Sequence, residues 1–241
     1  MDKFGKWIAG GLGWAFLGPL GGILGFVVGS MFDEGATAEN QPDSSRKTTT
    51  GGYVMSLLVL IAAIMKADGK VMKSELNYVK EFLVRSFGAD SARHAVTMLG
   101  DLLKQSIPVT DVCHQIRKNM DYSSRLQMLH FLFGVARADE HVSSHEQDLL
   151  KHIALSLGIG EKDFGSIKSM FTGNGDAAYK ILEIEPTATT EEIKKAYRTM
   201  ALKYHPDKVA YLGEDIQRAA KEKFQKVSEA YETIKKERNF V

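Results

Sequence analysis

The stretch YHPDK, residues 204–208, sets an imidazole, a proline and a carboxylate side by side at His205, Pro206 and Asp207. A histidine beside an acid is a pairing used in general acid–base catalysis. Catalysis would also need a reacting group within hydrogen-bond reach, a partner that orients the ring, and exclusion of water. No serine or cysteine nucleophile stands beside the tripeptide. The same three residues suit a contact loop. Proline restricts the backbone and lowers the entropy lost on docking. His205 and Asp207 supply directional hydrogen bonds.

The flanking elements favour contact. Thr189 with Glu192 forms a capping box, so a helix starts at Thr190. Ile193, Ala196, Tyr197, Met200, Ala201 and Tyr204 then fall on one apolar face. Lys194, Lys195, Arg198 and Lys203 lie largely off it. Pro206 lacks an N–H and disfavours helical geometry at His205, so the helix stops there. A loop is expected to about Gly213, followed by a helix whose Phe224, Val227, Ala230, Tyr231 and Ile234 again share a face. A short helix with Tyr179 and Leu182 on one side precedes the pair. The two long helices are predicted to pack as an antiparallel hairpin with the tripeptide on its exposed tip. The lysines beside it would steer the tip toward an acidic partner. This reading makes the chain a binding protein rather than an enzyme.

The rest of the chain gives little support to other classes. Among 241 residues, 31 Lys and Arg balance 30 Asp and Glu, for a formal net charge of +1. A nucleic-acid reader usually carries a basic surplus, so no nucleic-acid partner is expected. The single cysteine, Cys113, cannot build a disulfide framework or a structural zinc site, and its apolar neighbours suit a core residue. No cofactor or metal is expected.

From Trp7 to Phe32 the chain is apolar and uncharged, long enough to cross a bilayer core as a helix. Gly21, Gly25 and Gly29 form a stripe, and Gly18 and Gly22 a second pair at the same spacing. Small stripes let membrane helices approach closely, which predicts a self-associating segment over 1–32. Two topologies are open. Lys3 and Lys6 favour a cytoplasmic N-terminus, so a single span would export everything that follows. Pro19 with its neighbouring glycines would instead allow a re-entrant hairpin. Residues 33–52 are polar and turn-rich and read as a flexible linker with ends roughly 25 Å apart.

Residues 53–171 carry long apolar clusters without strand alternation, which predicts an all-α fold. "AIMKADGKVMKSELNYVKEFL" and "GVARADEHVSSHEQDLLKHIA" match at an offset of 71, pairing Asp68 with Asp139 and Glu75 with Glu146. Each copy reads as helix, acidic turn, helix. The spacing is not that of an EF-hand loop. Ser143 with Glu146 is a capping box, and Met72 weakens the equivalent cap of the first copy. Asp68 and Asp139 can hydrogen-bond the exposed turns. A metal-ion or envelope-stress sensor centred on these four acids is the competing reading. His145 and His152 lack an obvious third ligand.

The C-terminal residues "AYKILEI…EEIKKAYRTMALKYHPDK…EKFQKVSEAYETI" closely resemble the J domain of DnaJ-type co-chaperones. The resemblance implies that His205, Pro206 and Asp207 stimulate ATP hydrolysis by a DnaK-type chaperone. It implies that Lys194, Lys195, Arg198 and Lys203, with Tyr197, dock on that chaperone. Thr199 stands where the family often has a basic residue. "ADGKVMKSE" and "ADEHVSSHE" resemble the all-helical TerB-like family, whose acidic positions fall on Asp68, Glu75, Asp139 and Glu146, and the resemblance implies a metal role for them; as part of a co-chaperone, residues 53–171 are expected to recruit a client or sensor partner. The order of segments, with a J domain over 176–241, resembles the membrane-anchored DjlA co-chaperones. That implies a location at the inner membrane with the J domain facing the cytosol.

Overall fold

The computed structural model describes residues 19–20, 50–139, 142–171 and 176–240. The apolar stretch Trp7–Phe32, with Gly18, Gly21, Gly22, Gly25 and Gly29, lies outside them apart from Pro19 and Leu20. The described residues form helices and no strand, as the sequence predicts. Six helices come first: α1 (Thr50–Met65), α2 (Lys73–Leu102), α3 (Val109–Asn119), α4 (Tyr122–Ala136), α5 (Ser144–Ser156) and α6 (Glu161–Ser169). After them come α7 (Ala177–Ile181), α8 (Thr190–Lys203), a 3₁₀ turn (Pro206–Leu212) and α9 (Glu214–Arg238).

Helix α1 is the spine of the six-helix bundle. All of its residues except Thr50 are buried, and α2, α3, α4 and α5 pack around it. Such all-round burial explains why its sequence is apolar on every side rather than on one stripe. Each large aliphatic side chain buried here contributes roughly 1.5–3 kcal/mol. The helix includes Thr50, Gly51 and Gly52, which fall within the linker expected over 33–52. Glycine pairs read as linker, yet here Gly51 and Gly52 are buried in the core. Gly52 also takes a 2.7 Å hydrogen bond from the Ser56 hydroxyl.

Helix α2 breaks at Gly88, whose φ of 79° and ψ of 165° are a conformation that glycine adopts at low cost. The matched turns lie between α1 and α2 and between α4 and α5. The Asp68 carboxylate accepts the Lys70 N–H at 2.9 Å. In the second copy the cap is reciprocal: Ser143 Oγ accepts the Glu146 N–H at 3.2 Å, and Glu146 accepts the Ser143 N–H at 2.7 Å. In the first, Glu75 accepts the Met72 N–H at 2.9 Å, and Met72 returns no bond from its side chain.

The C-terminal hairpin forms as predicted. Thr189 and Glu192 cap α8, and Ile193 and Met200 are buried under it, with Val227, Ala230 and Ile234 of α9. The tip differs from the expected free loop. Pro206, Val209 and Leu212 are buried in the 3₁₀ turn, and that turn rests on α4. Helix α9 likewise packs on α2 and α4. The hairpin therefore lies against the bundle. Among the described residues no helix is long and apolar enough to cross a membrane.

Candidate contact site at the hairpin tip

The His-Pro-Asp tripeptide shapes itself. His205 is the extended residue before the 3₁₀ turn, at φ −61° and ψ 129°, as a residue preceding proline prefers. Its Nδ1 accepts the Asp207 backbone N–H at 3.3 Å. That bond leaves Nε2 to carry the proton in the neutral ring. The Asp207 carboxylate lies 3.6 Å from the same Nδ1, and Gln217 of α9 donates to its Oδ1 at 3.1 Å. The His205 ring meets the Phe224 ring edge-on, with centroids 5.8 Å apart. The two polar side chains are thus held from α9 yet remain accessible, at 45% and 74% exposure. Open side chains of this kind suit contact with a partner.

The basic residues of α8 divide into two groups. Lys195 and Arg198 are exposed, and Lys194 is half-buried with its ammonium 5.7 Å from the Phe240 ring centre. Thr199, also exposed, turns its hydroxyl back to the Lys195 carbonyl at 3.0 Å. Tyr197 stacks on Tyr231 at a centroid distance of 4.3 Å, so much of its ring braces the hairpin. Lys203 is placed differently from the others. Its ammonium is paired with Asp163 of α6 and, at 3.0 Å, with Glu183. Burial works against its charge, but the hydrogen bonds it donates to these two carboxylates outweigh it and raise its pKa above the ordinary lysine value. Asp163 and Gln217 carry no signal of this site in the sequence, because neither shares a local pattern with the tripeptide.

The duplicated turns bring their acids into one electrostatic neighbourhood. Burial, then Glu146, Asp68 and Asp139, push the Glu75 carboxyl from 4.5 up to about 7, against the Met72 N–H that favours its charge. Glu75 therefore stays protonated in the fold where an unfolded chain would ionise. Its stabilising contribution is complete below about pH 4.5 and is lost as pH rises through 7. Glu75→Gln is expected to melt higher than wild type at pH 8 and alike at pH 4, by thermal denaturation at both pH values. Among the described residues no cluster of three His, Cys, Asp or Glu side chains could hold a metal ion. His152 Nε2 is hydrogen-bonded to Thr110 at 2.9 Å, and His145 is exposed. Cys113 is fully buried.

Three family models match the chain in series. Residues 1–41 match the co-chaperone DjlA transmembrane domain, 55–169 the tellurite resistance protein TerB, and 177–239 the DnaJ domain. The TerB match covers the bundle and the DnaJ match covers the hairpin with its tip. The chain is similar over its whole length to the co-chaperone protein DjlA of Coxiella burnetii, at 25% identity and 100% of both chains. The DjlA proteins of Haemophilus influenzae and Escherichia coli K12 are each 24% identical. They cover 97% and 91% of this chain and 98% and 92% of their own length. No solved structure matches. With a DnaJ domain carrying the tip, a TerB bundle beneath it and a match to the DjlA transmembrane domain ahead of both, the chain has the domain order of a DjlA-type co-chaperone.

Proposed function

We propose that this co-chaperone stimulates ATP hydrolysis by a DnaK-type chaperone through His205, Pro206 and Asp207. Lys194, Lys195, Arg198, Lys203 and Tyr197 form the docking face. The observation that carries this reading is the tip itself, with both polar side chains of the tripeptide accessible and braced by Gln217 and Phe224. Bracing before contact reduces the ordering cost of docking. The exposed cations Lys195 and Arg198 lie on the helix leading to it, where they would steer an acidic ATPase surface. The chemistry then belongs to the chaperone's ATP site, and this chain supplies the contact that triggers it.

The bundle recruits a client or partner, and the N-terminal segment holds the assembly at the inner membrane with the DnaJ domain in the cytosol, where the ATP-dependent chaperone works. The glycine stripe of Gly21, Gly25 and Gly29, with Gly18 and Gly22, pairs two copies in the bilayer. Single-turnover ATP hydrolysis by a DnaK-type chaperone tests the central claim. The full chain in vesicles is expected to accelerate it, and a chain lacking residues 172–241 to leave it at the basal rate. Equal rates with both would remove the proposal.

A further inference from the structure

We propose that the bundle face carrying Asp163 and Asp121 is a latch that competes with the chaperone for the hairpin. The proposal rests on the function given above. Three fastenings join the bundle to the segment 203–223 that brackets the tripeptide. The first is Lys203, whose side chain is only 22% exposed between Asp163 and Glu183, themselves 12% and 17% exposed. Asp163 is also held by the hydroxyls of Tyr122, at 2.6 Å, and Tyr204, at 3.3 Å. The second is Tyr211, whose hydroxyl donates to Asp121 and lies 2.8 Å from Ser124 Oγ. The third is Lys223, fully buried, which donates to the Leu126 carbonyl at 3.2 Å.

The latch leaves part of the docking face open. Lys195, Arg198, His205 and Asp207 are exposed and can meet a partner with the bundle in place. Lys203 can reach an acidic partner only by leaving Asp163. A carboxylate of the chain's own bundle thus occupies the position that a carboxylate of the chaperone would take. Binding that needs a minor, unlatched state is weakened by the cost of reaching that state. The coupling is reciprocal: whatever loosens the bundle face raises affinity for the chaperone, and the chaperone loosens the bundle face.

The test uses the full chain in vesicles and single-turnover hydrolysis titrated with wild type, Asp207→Asn, Asp163→Asn and Asp121→Ser. Asp163→Asn keeps the shape and the acceptor of the two tyrosines but removes the charge. Asp121→Ser keeps a side-chain oxygen for the α4 cap and withdraws the acceptor from Tyr211, at a separate point of the latch. Each latch variant is expected to lower the concentration for half-maximal stimulation by roughly fivefold or more. A second readout needs no stimulation: the separation of spin labels at Lys118→Cys and Lys236→Cys, expected to broaden in Asp163→Asn and on adding chaperone. If wild type stimulates, Asp207→Asn does not, and both latch variants titrate like wild type, the latch is overturned and the function stands. If wild type does not stimulate, the function falls, and an unchanged label separation in Asp163→Asn overturns the latch independently.

Discussion

Asp207→Asn is expected to abolish acceleration of single-turnover ATP hydrolysis while leaving the melting temperature of the chain unchanged. The two halves of that result follow from the same geometry. Asparagine keeps an Oδ1 of the same reach, so the bond from Gln217 at 3.1 Å survives. The His205 bond uses the backbone N–H of residue 207 and is untouched by the substitution. The side chain is 74% exposed, and surface changes of this kind alter stability by about 0.5 kcal/mol or less. Only the charge is lost. Truncating one partner of a hydrogen-bonded charge pair at an interface costs about 2–5 kcal/mol. That corresponds to a roughly 30-fold or larger loss of productive contact. A variant that melts like wild type and stimulates like wild type would remove Asp207 from the contact.

Lys223→Met is expected to raise stability near neutral pH by about 1–4 kcal/mol, the range seen when buried charged groups give way to well-packed apolar ones. Lys223 is fully buried, with its ammonium 3.9 Å from the Tyr204 ring centre. Burial drives its pKa well below the ordinary lysine value of 10.5, although the Asp163 carboxylate favours the charge. The folded state therefore holds fewer protons than the unfolded chain between that lowered value and 10.5. Stability rises with pH across this window and falls as the pH drops through it. Methionine has a similar unbranched shape and no proton to lose. The variant's stability should thus lose that alkaline rise, as denaturant titrations at pH 7 and pH 9.5 would measure. A lower stability at pH 7 would mean that the ammonium is a net stabiliser of this interface.

Local patterns made the hairpin legible. The face running from Ile193 to Tyr204, the Thr189–Glu192 and Ser143–Glu146 caps, and the stop at Pro206 are each specified within a few residues. The 71-residue offset likewise located both acidic turns, because each copy repeats its own capping chemistry. The contacts that local patterns do not encode join residues distant in sequence. Lys203 lies off the apolar face and reads as solvated, yet its partner Asp163 stands 40 positions earlier on another helix. Lys223 sits in "KEKF", a stretch charged enough to look exposed, and is covered by a bundle that the local pattern does not encode. Thr50–Gly52 read as linker because glycine pairs usually mark turns, and only the packing around α1 draws them into the core.

The burial of Cys113 has a consequence for life under oxidants. It is the only thiol in the chain, it is fully covered, and burial pushes its pKa up to about 12. Cysteine sulfur is oxidised mainly as the thiolate, the form that burial disfavours here. The chain therefore has no cysteine handle by which peroxide or a disulfide carrier could switch it, cross-link it or poison it.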